Sequence, residues 1–265
     1  MNPLLESLPK RLGSVVSRRE SFALALFGEA GLGKSFQLNR LLENLTCRHV
    51  QLPANASDMQ LAAGFIRRDR VPSWAVRSLE RLGSGETLTP ARVADAITAH
   101  LLANAPIVLW LEDLHEANPA QLEVWSCVAR GLKGSRGVAL LAAGRGAPPA
   151  AFEHLRLEAL DVSESRSMLE AQIGAQLPDA ALTWIQARAN GNPLFTLEYF
   201  RFLARSGFLW SDARRWRWRD PGSEVMPTSV EALVAQALEP LRDDAVLEAT
   251  LRARAVLPDD DLKRW

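Results

Sequence analysis

The stretch "GEAGLGKS" (residues 28–35) follows the apolar run "SFALALF" (21–27) and precedes a segment with helically spaced leucines. It matches the pattern G-x-x-x-x-G-K-[ST]. Glycines let the backbone curl so that successive N–H groups point into one concavity, and the helix that follows adds the positive end of its dipole. The stretch therefore predicts a phosphate-binding loop between a buried strand and a helix. The positions that define the pattern are Gly28, Gly33, Lys34 and Ser35.

Two side chains of this loop have predicted roles at a bound nucleotide. Lys34 is expected to reach the β- and γ-phosphates, and the Ser35 hydroxyl to complete a Mg²⁺ shell that the phosphates largely supply. A glycine-rich turn without a ligand is the structural alternative, and the Lys-Ser pair at this offset argues against it. The predicted cofactor contacts are Gly28, Glu29, Ala30, Gly31, Leu32, Gly33, Lys34, Ser35 and Phe36.

A pair of acids closes another strongly apolar run, "IVLWL" (107–111). Glu112 and Asp113 come directly after it, where a phosphate-loop protein needs a carboxylate to position the metal and the attacking water. The sequence leaves open which residue serves the metal and which serves the water. The structural alternative is a pair of solvated acids, and His115 is interpreted as a packed or capping residue.

The pattern of the first 160 residues predicts an α/β fold. Short apolar runs alternate with helix-period segments, which is typical of a parallel sheet flanked by crossover helices. The predicted strands are 21–27, 48–52, 107–111, 137–144 and, more weakly, 154–160. Predicted helices follow the loop (Leu38, Leu41, Leu42, Leu45), run from about Pro90 to Asn104, and run from Asn118-Pro119 to near Gly131.

Helical periods dominate after residue 160. Predicted helices cover 163–174, 179–189 and 193–206, followed by a hairpin within 208–220. Two stretches rich in turn formers, 81–90 and 219–227, are the expected flexible segments. A last amphipathic helix is predicted on Val230, Leu233, Val234, Leu238 and Leu241.

Composition excludes several classes of partner. The chain has 265 residues, is 48% hydrophobic, and balances 31 basic against 31 acidic residues, so no overall charge favours nucleic acid or a membrane surface. Cys47 and Cys127 lack metal-ligand spacing and indicate a reduced compartment. No apolar run has the length of a signal peptide or a membrane span, so a cytoplasmic location is expected.

Three segments together resemble the signal-transduction ATPases (STAND) of the AAA+ group of P-loop NTPases, especially the ATPase modules of large LuxR-type transcription regulators. They are "GEAGLGKS", "VLWLEDLHEANPAQL" and "ARANGNPLFTLEYFRFLARSGFL". The resemblance implies that Glu112 and Asp113 serve metal and water, and that Arg145 senses the γ-phosphate. It also implies that Gly191, Asn192 and Pro193 belong to a lid that closes over the nucleotide.

The resemblance further implies a domain order: an N-terminal segment (1–20), an ATPase core (21–160), a helical lid (161–207) and a winged-helix-like region (208–265). The expected function is a switch that binds ATP or ADP with Mg²⁺ and hydrolyses ATP slowly. The alternatives are a P-loop phosphotransferase and a nucleic-acid-remodelling AAA+ ATPase. Because the family's output regions have no counterpart here, a protein partner or a separate output domain is expected.

One basic, aromatic stretch, "ARRWRWRD" (213–220), has the composition of a nucleic-acid platform. In a strand, however, Trp216 and Trp218 fall on one face and the neighbouring arginines on the other. Inward-packed tryptophans beneath solvated arginines are therefore favoured over direct nucleic-acid binding. The arginines are Arg215, Arg217 and Arg219.

Overall fold

The computed structural model describes residues 3–43, 45–65, 70–212 and 215–222. The chain divides into two compact units, Met1–Glu158 and Ala159–Trp265, and each is described by itself. The helix predicted around Val230 to Leu241, and with it most of the predicted winged-helix-like region, lies outside the described residues. No helix within the described ranges is long and apolar enough to cross a membrane.

The first unit contains a five-stranded sheet in which every pairing is parallel. The strands are β1 (Phe22–Phe27), β2 (Arg48–Pro53), β3 (Ile107–Glu112), β4 (Val138–Gly144) and β5 (Glu153–Arg156). Their spatial order is β2-β3-β4-β1-β5. The predicted α/β fold with a parallel sheet is confirmed, although β5 ends earlier than the run 154–160.

Helices flank this sheet. They are α1 (Pro3–Val16), α2 (Lys34–Glu43), α3 (Asp58–Gly64), α4 (Ser73–Gly83), α5 (Pro90–Ala103) and α6 (Pro119–Gly131), and a 3₁₀ turn spans Leu114–Glu116. The predicted caps are present, since the side chains of Thr89 and Asn118 accept hydrogen bonds from the backbone of Arg92 and Gln121. Helices α1, α3 and α4 were not predicted, and α4 occupies the start of the stretch 81–90.

Both faces of the sheet are buried, which explains why its strands read as continuous apolar runs. One face packs Ala25, Leu109 and Leu111 against a cluster that includes Trp125 of α6. The opposite face packs Leu24, Leu26 and Trp110 against leucines of α1 and α2. Helix α2, which follows the predicted phosphate loop, is thus fixed to the sheet through the buried Leu38 and Leu42.

The second unit consists of α7 (Val162–Ile173), α8 (Asp179–Ala189), α9 (Pro193–Arg205) and an antiparallel pair, β6 (Leu209–Ser211) and β7 (Trp216–Trp218). The three predicted helices and the hairpin are confirmed. Trp216 and Trp218 are half-buried against Phe200 and Trp184, at ring-centroid distances of 5.5 and 6.1 Å. The three arginines beside these tryptophans are exposed, so the predicted alternation is also confirmed.

Candidate functional site

The sheet order brings three chain segments to one edge. Strands β3, β4 and β1 are neighbours, and because they run parallel, the residues that follow them meet at the carboxyl edge of the sheet. The loop 28–33 follows β1, Asp113 follows β3, and Arg145 follows β4. In open α/β sheets this edge is where ligands bind.

The loop after β1 has the backbone that its glycines predict. Gly28, Gly31 and Gly33 have φ angles of 152°, 81° and 82°, which side-chain-bearing residues rarely adopt. A Cβ on Gly28 would also lie 2.7 Å from the carbonyl oxygen of Leu157. Leu32 packs against the core, whereas Glu29 and Ala30 are exposed. The loop is thus anchored at Gly28 and Leu32 and exposed at Glu29 and Ala30.

Helix α2 begins at Lys34, so the next predicted contacts lie in its first turn. Ser35 and Phe36 are exposed, and Phe36 keeps 66% of its surface accessible, which is unusual for a large apolar side chain. The N-terminus of this helix therefore presents backbone N–H groups, a hydroxyl and an open aromatic ring in one place. Such a terminus favours anions.

Lys34 lies within electrostatic range of two other charged residues predicted for the site, Arg145 and Asp113. Its ammonium group donates hydrogen bonds to the carbonyl oxygens of Gly28 (2.9 Å) and Glu29 (2.6 Å). The pKa of Lys34 is lowered, first by burial and then by the positive charge of Arg145, while the negative charge of Asp113 opposes this shift. The fold therefore brings Lys34, Asp113 and Arg145 within electrostatic range of one another.

Asp113 stands at a sharp turn in the chain. Its backbone is left-handed (φ 49°, ψ 51°), which is unusual for a residue other than glycine and which Asp tolerates better than most. The turn ends β3, and the side chain of Asp113 remains 63% accessible. His115 Nδ1 lies 3.9 Å from Asp113 Oδ1, too far for a hydrogen bond. The carboxylate is thus free to face solvent or a ligand.

Glu112 is the last residue of β3, and its backbone is fixed by a contact that the sequence did not reveal. The Ala54 N–H donates a 2.7 Å hydrogen bond to the carbonyl oxygen of Glu112. The buried Trp125 indole N–H in turn donates to the carbonyl oxygen of Ala54 at 2.9 Å. Trp125 therefore helps to position the strand end that carries the predicted carboxylates. The one sequence signal for this role is that Trp125 lies in the helix that follows "DLHEANP".

The side chains predicted to hold the metal are of types that suit Mg²⁺. Ser35, Glu112 and Asp113 offer one hydroxyl and two carboxylates, the donor types that this ion prefers. Among the described residues there is no group of three His, Cys, Asp or Glu side chains that could hold a metal ion by itself. A magnesium ion here would accordingly take most of its ligands from nucleotide phosphates and water, as it commonly does.

Asn192 and Pro193 lie in the second unit, where they begin α9. The Asn192 side chain caps the helix by accepting hydrogen bonds from the backbone N–H groups of Leu194 (3.1 Å) and Phe195 (3.4 Å), and Pro193 occupies the first turn. Gly191 has a left-handed backbone, and its carbonyl accepts a 2.8 Å hydrogen bond from Leu160. These contacts explain the segment structurally, and nucleotide contact remains a prediction.

We predict that Gly191→Ala destabilises the second unit more than Gly174→Ala does. Both glycines have left-handed backbones, so each alanine costs about 1–2 kcal/mol of unfolding free energy. A Cβ on Gly191 would also collide with the carbonyl oxygen of Leu160, whereas one on Gly174 meets nothing within 4 Å. The total for Gly191→Ala should reach about 3 kcal/mol. Urea denaturation followed by tryptophan fluorescence measures both, and equal losses would contradict this account.

Comparison with known proteins defines the fold class. No protein-family model matches the chain, and no curated protein is similar to it in sequence. Among solved structures it is similar to a Signal Transduction ATPase with Numerous Domains (STAND) that has a tetratricopeptide-repeat sensor, from Pyrococcus horikoshii. That likeness has a TM-score of 0.50 and 15% identity, and it covers 71% of this chain and 28% of that one.

Two further similar structures are a Walker-type ATPase of Pyrococcus abyssi and Cdc6p of Pyrobaculum aerophilum. The first has a TM-score of 0.49 and 10% identity, and covers 95% of this chain and 76% of that one. The second has a TM-score of 0.49 and 17% identity, and covers 77% and 60%. The fold of the first unit is the α/β core of P-loop ATPases, and the chain spans under a third of the length of the STAND protein.

Proposed function

We propose that the chain is an ATP-binding switch that hydrolyses ATP slowly with Mg²⁺. The observation that carries this proposal is the convergence of Lys34, Asp113 and Arg145 at the carboxyl edge of the sheet, beside a loop whose glycines have positive φ angles. A cation at the start of a helix, a carboxylate and a second cation suit a nucleoside triphosphate better than a smaller anion.

Each residue has a distinct role in this proposal. Lys34 exchanges its hydrogen bonds to Gly28 and Glu29 for the β- and γ-phosphates, and the loop N–H groups hold the same oxygens. Glu112 and Asp113 divide metal binding and orientation of the attacking water between them. Bound Mg²⁺ would neutralise charge that develops on the phosphates.

We propose a switch because Arg145 and the second unit are expected to contact different parts of the nucleotide. Arg145 follows β4 in the first unit and is exposed, so it is available to sense the γ-phosphate. Asn192 and Pro193 belong to the second unit and contact the nucleotide only in a closed state. A ligand with more contacts in the closed state than in the open state shifts the population toward the closed state.

The proposed setting is a cytoplasmic signalling or transcription-control system of the signal-transduction ATPase kind. The output lies in a protein partner or a further domain, which the switch controls through the second unit. The exposed arginines of the hairpin β6–β7 make a nucleic-acid output surface the less favoured version, because their tryptophan neighbours already pack into that unit.

Limited proteolysis tests the switch. The segments 81–90 and 219–227 are expected to be cleaved most readily without nucleotide, less with ADP, and least with a non-hydrolysable ATP analogue, because closure opposes local opening. Arg145→Ala should make the pattern with the ATP analogue resemble that with ADP. Arg136→Ala, at another exposed arginine, is the matched control. Identical cleavage in all three states would mean that the nucleotide is fuel or a structural ligand.

A further inference from the structure

A cavity of about 260 Å³ lies next to Arg145, the residue proposed to sense the γ-phosphate. Its lining includes Gly144 and Gly146, which flank Arg145, and Leu114 and His115, which follow Asp113. The end of β1 supplies another part of the wall. The cavity is therefore next to the predicted catalytic residues, yet none of the residues predicted to bind nucleotide lines it.

The cavity exists because one crossover of the sheet lacks a helix. Strands β4 and β5 are parallel and lie on either side of β1, but residues 145–152, all of them described, connect them without a helix. A parallel crossover usually takes at least about 12 residues and a helix. Ala25 and Gly144 offer little bulk beneath this short connection, so the space stays open.

The outer wall of the cavity is pre-formed. Pro148 and Pro149 fix two backbone φ angles in the connection, and Phe152 anchors its end in the core at 4% exposure. The Phe152 N–H donates a 3.0 Å hydrogen bond to the carbonyl of Pro149, and His154 Nε2 lies 3.3 Å from the same oxygen. A wall held in this way does not need to be ordered by a ligand, which favours binding.

The lining selects an uncharged, mainly apolar molecule. Leucine, alanine, proline and glycine dominate it together with Phe27, and His115 is the one lining residue that has a polar side chain. No hydrogen bond within the described residues involves the His115 ring, which remains 24% accessible. A polyol or a second phosphate would leave most of its polar groups unpaired here, at a considerable cost. Apolar cavities of about 150 Å³ already hold benzene, so this one has room for two rings.

We infer that this cavity is an effector site for a small, uncharged aromatic molecule with a single hydrogen-bonding group directed at His115. Its occupant packs against Leu114 and His115, the residues directly after Asp113. Contact with that segment, which continues directly from Asp113, couples the site to nucleotide binding, and this coupling rests on the proposed function. Binding of the aromatic molecule to the cavity does not depend on the proposed function.

The experiment uses indole as probe, titrated into the full chain without nucleotide by calorimetry and ligand-observed NMR. Indole should bind at one site with a Kd of about 1 mM or tighter. Replacing its N–H, as in 1-methylindole, should weaken binding about three- to tenfold, and His115→Phe should remove that difference. Absence of saturable binding, or a difference that persists in His115→Phe, would overturn the assignment.

Two variants of one loop localise the site. A Cβ on Gly146 meets nothing within 4 Å, so Gly146→Leu fills the cavity without a clash at the backbone and should weaken indole binding at least about tenfold. Ala150→Leu places the same side chain at an exposed position that does not line the cavity, and should leave binding unchanged. Equal affinity of the two variants for indole would place the binding elsewhere and overturn the proposal.

The coupling between indole binding and nucleotide binding is measured in a separate titration. A saturating ATP analogue should tighten indole binding about fivefold, and indole should tighten the analogue equally, since coupling is reciprocal. If the analogue binds without this change, the cavity is not an effector site. If it does not bind at all, the proposed ATP function fails while the indole titration still decides the cavity. Phosphorylation of indole-3-ethanol by ATP would identify an acceptor site instead and overturn the effector role.

Discussion

Replacing Glu112 by Gln and Asp113 by Asn together is expected to abolish release of inorganic phosphate while ATP remains bound. The two carboxylates lie at the end of β3, at the edge that carries Lys34, and they are the acids predicted for the metal and the water. Their amides keep the shape and the turn, since Asn tolerates the left-handed backbone of Asp113 as well as Asp does. Loss of charge is thus separated from loss of structure.

Phosphate release by the unmodified chain should be slow, below about 1 per second, as in nucleotide switches to which no arginine finger is supplied. The double variant should be at least about 100-fold slower still. The single variants assign the two roles. Replacing the residue that holds the metal should also make ATP binding less dependent on Mg²⁺, whereas replacing the residue that orients the water should not. Glu6→Gln with Asp95→Asn, two exposed acids elsewhere in the first unit, is the matched control. Turnover equal to that of the control would count against the carboxylate assignment.

Lys34→Ala is expected to weaken ATP binding at least tenfold, about 1.4 kcal/mol. The Lys34 ammonium already lies over the loop, where it is held by the carbonyl oxygens of Gly28 and Glu29. Burial and then the positive charge of Arg145 lower the pKa of Lys34, and an anion bound between the two cations would offset their repulsion. Alanine removes one of these cations and leaves Arg145 in place.

Calorimetry with ATP and with ADP measures this loss. Lys133→Ala removes an exposed lysine after α6 and should leave the affinity unchanged. The far-ultraviolet circular dichroism of both variants should match that of the unmodified chain, because Lys34 is only partly buried. An unaltered affinity in Lys34→Ala would remove the phosphate-loop interpretation altogether.

The sequence was sufficient for the parts of the site that depend on local geometry. The glycines of the loop, the acids at the end of β3 and the caps of α5 and α6 each follow from backbone chemistry within a few residues. Strands β1, β3 and β4 were recognisable because both of their faces are buried. The second unit's hairpin followed from the alternation of tryptophan and arginine.

Features that depend on distant residues were not predictable in the same way. Helix α1 contains Pro9, which argues against a helix locally, yet Leu8 and Leu12 are fully buried against the sheet. The bond from Trp125 to Ala54 joins residues far apart in the chain. The cavity lies beneath the connection between β4 and β5, which has no helix. The sequence shows that this connection is short, but only the strand order shows that it crosses over β1.

The order of the strands also bears on how the protein is made. Among the five strands of this sheet, β1 is synthesised first and its partners β4 and β5 are synthesised last, so that Phe22 pairs with Ala139 and Leu24 with Glu153. Pairings between residues so distant in sequence form slowly. During synthesis on the ribosome, β1 and the loop after it therefore have no neighbouring strand until β4 and β5 have emerged. The apolar strand β1 is therefore unpaired while the chain is being synthesised, and unpaired apolar strands are prone to aggregate.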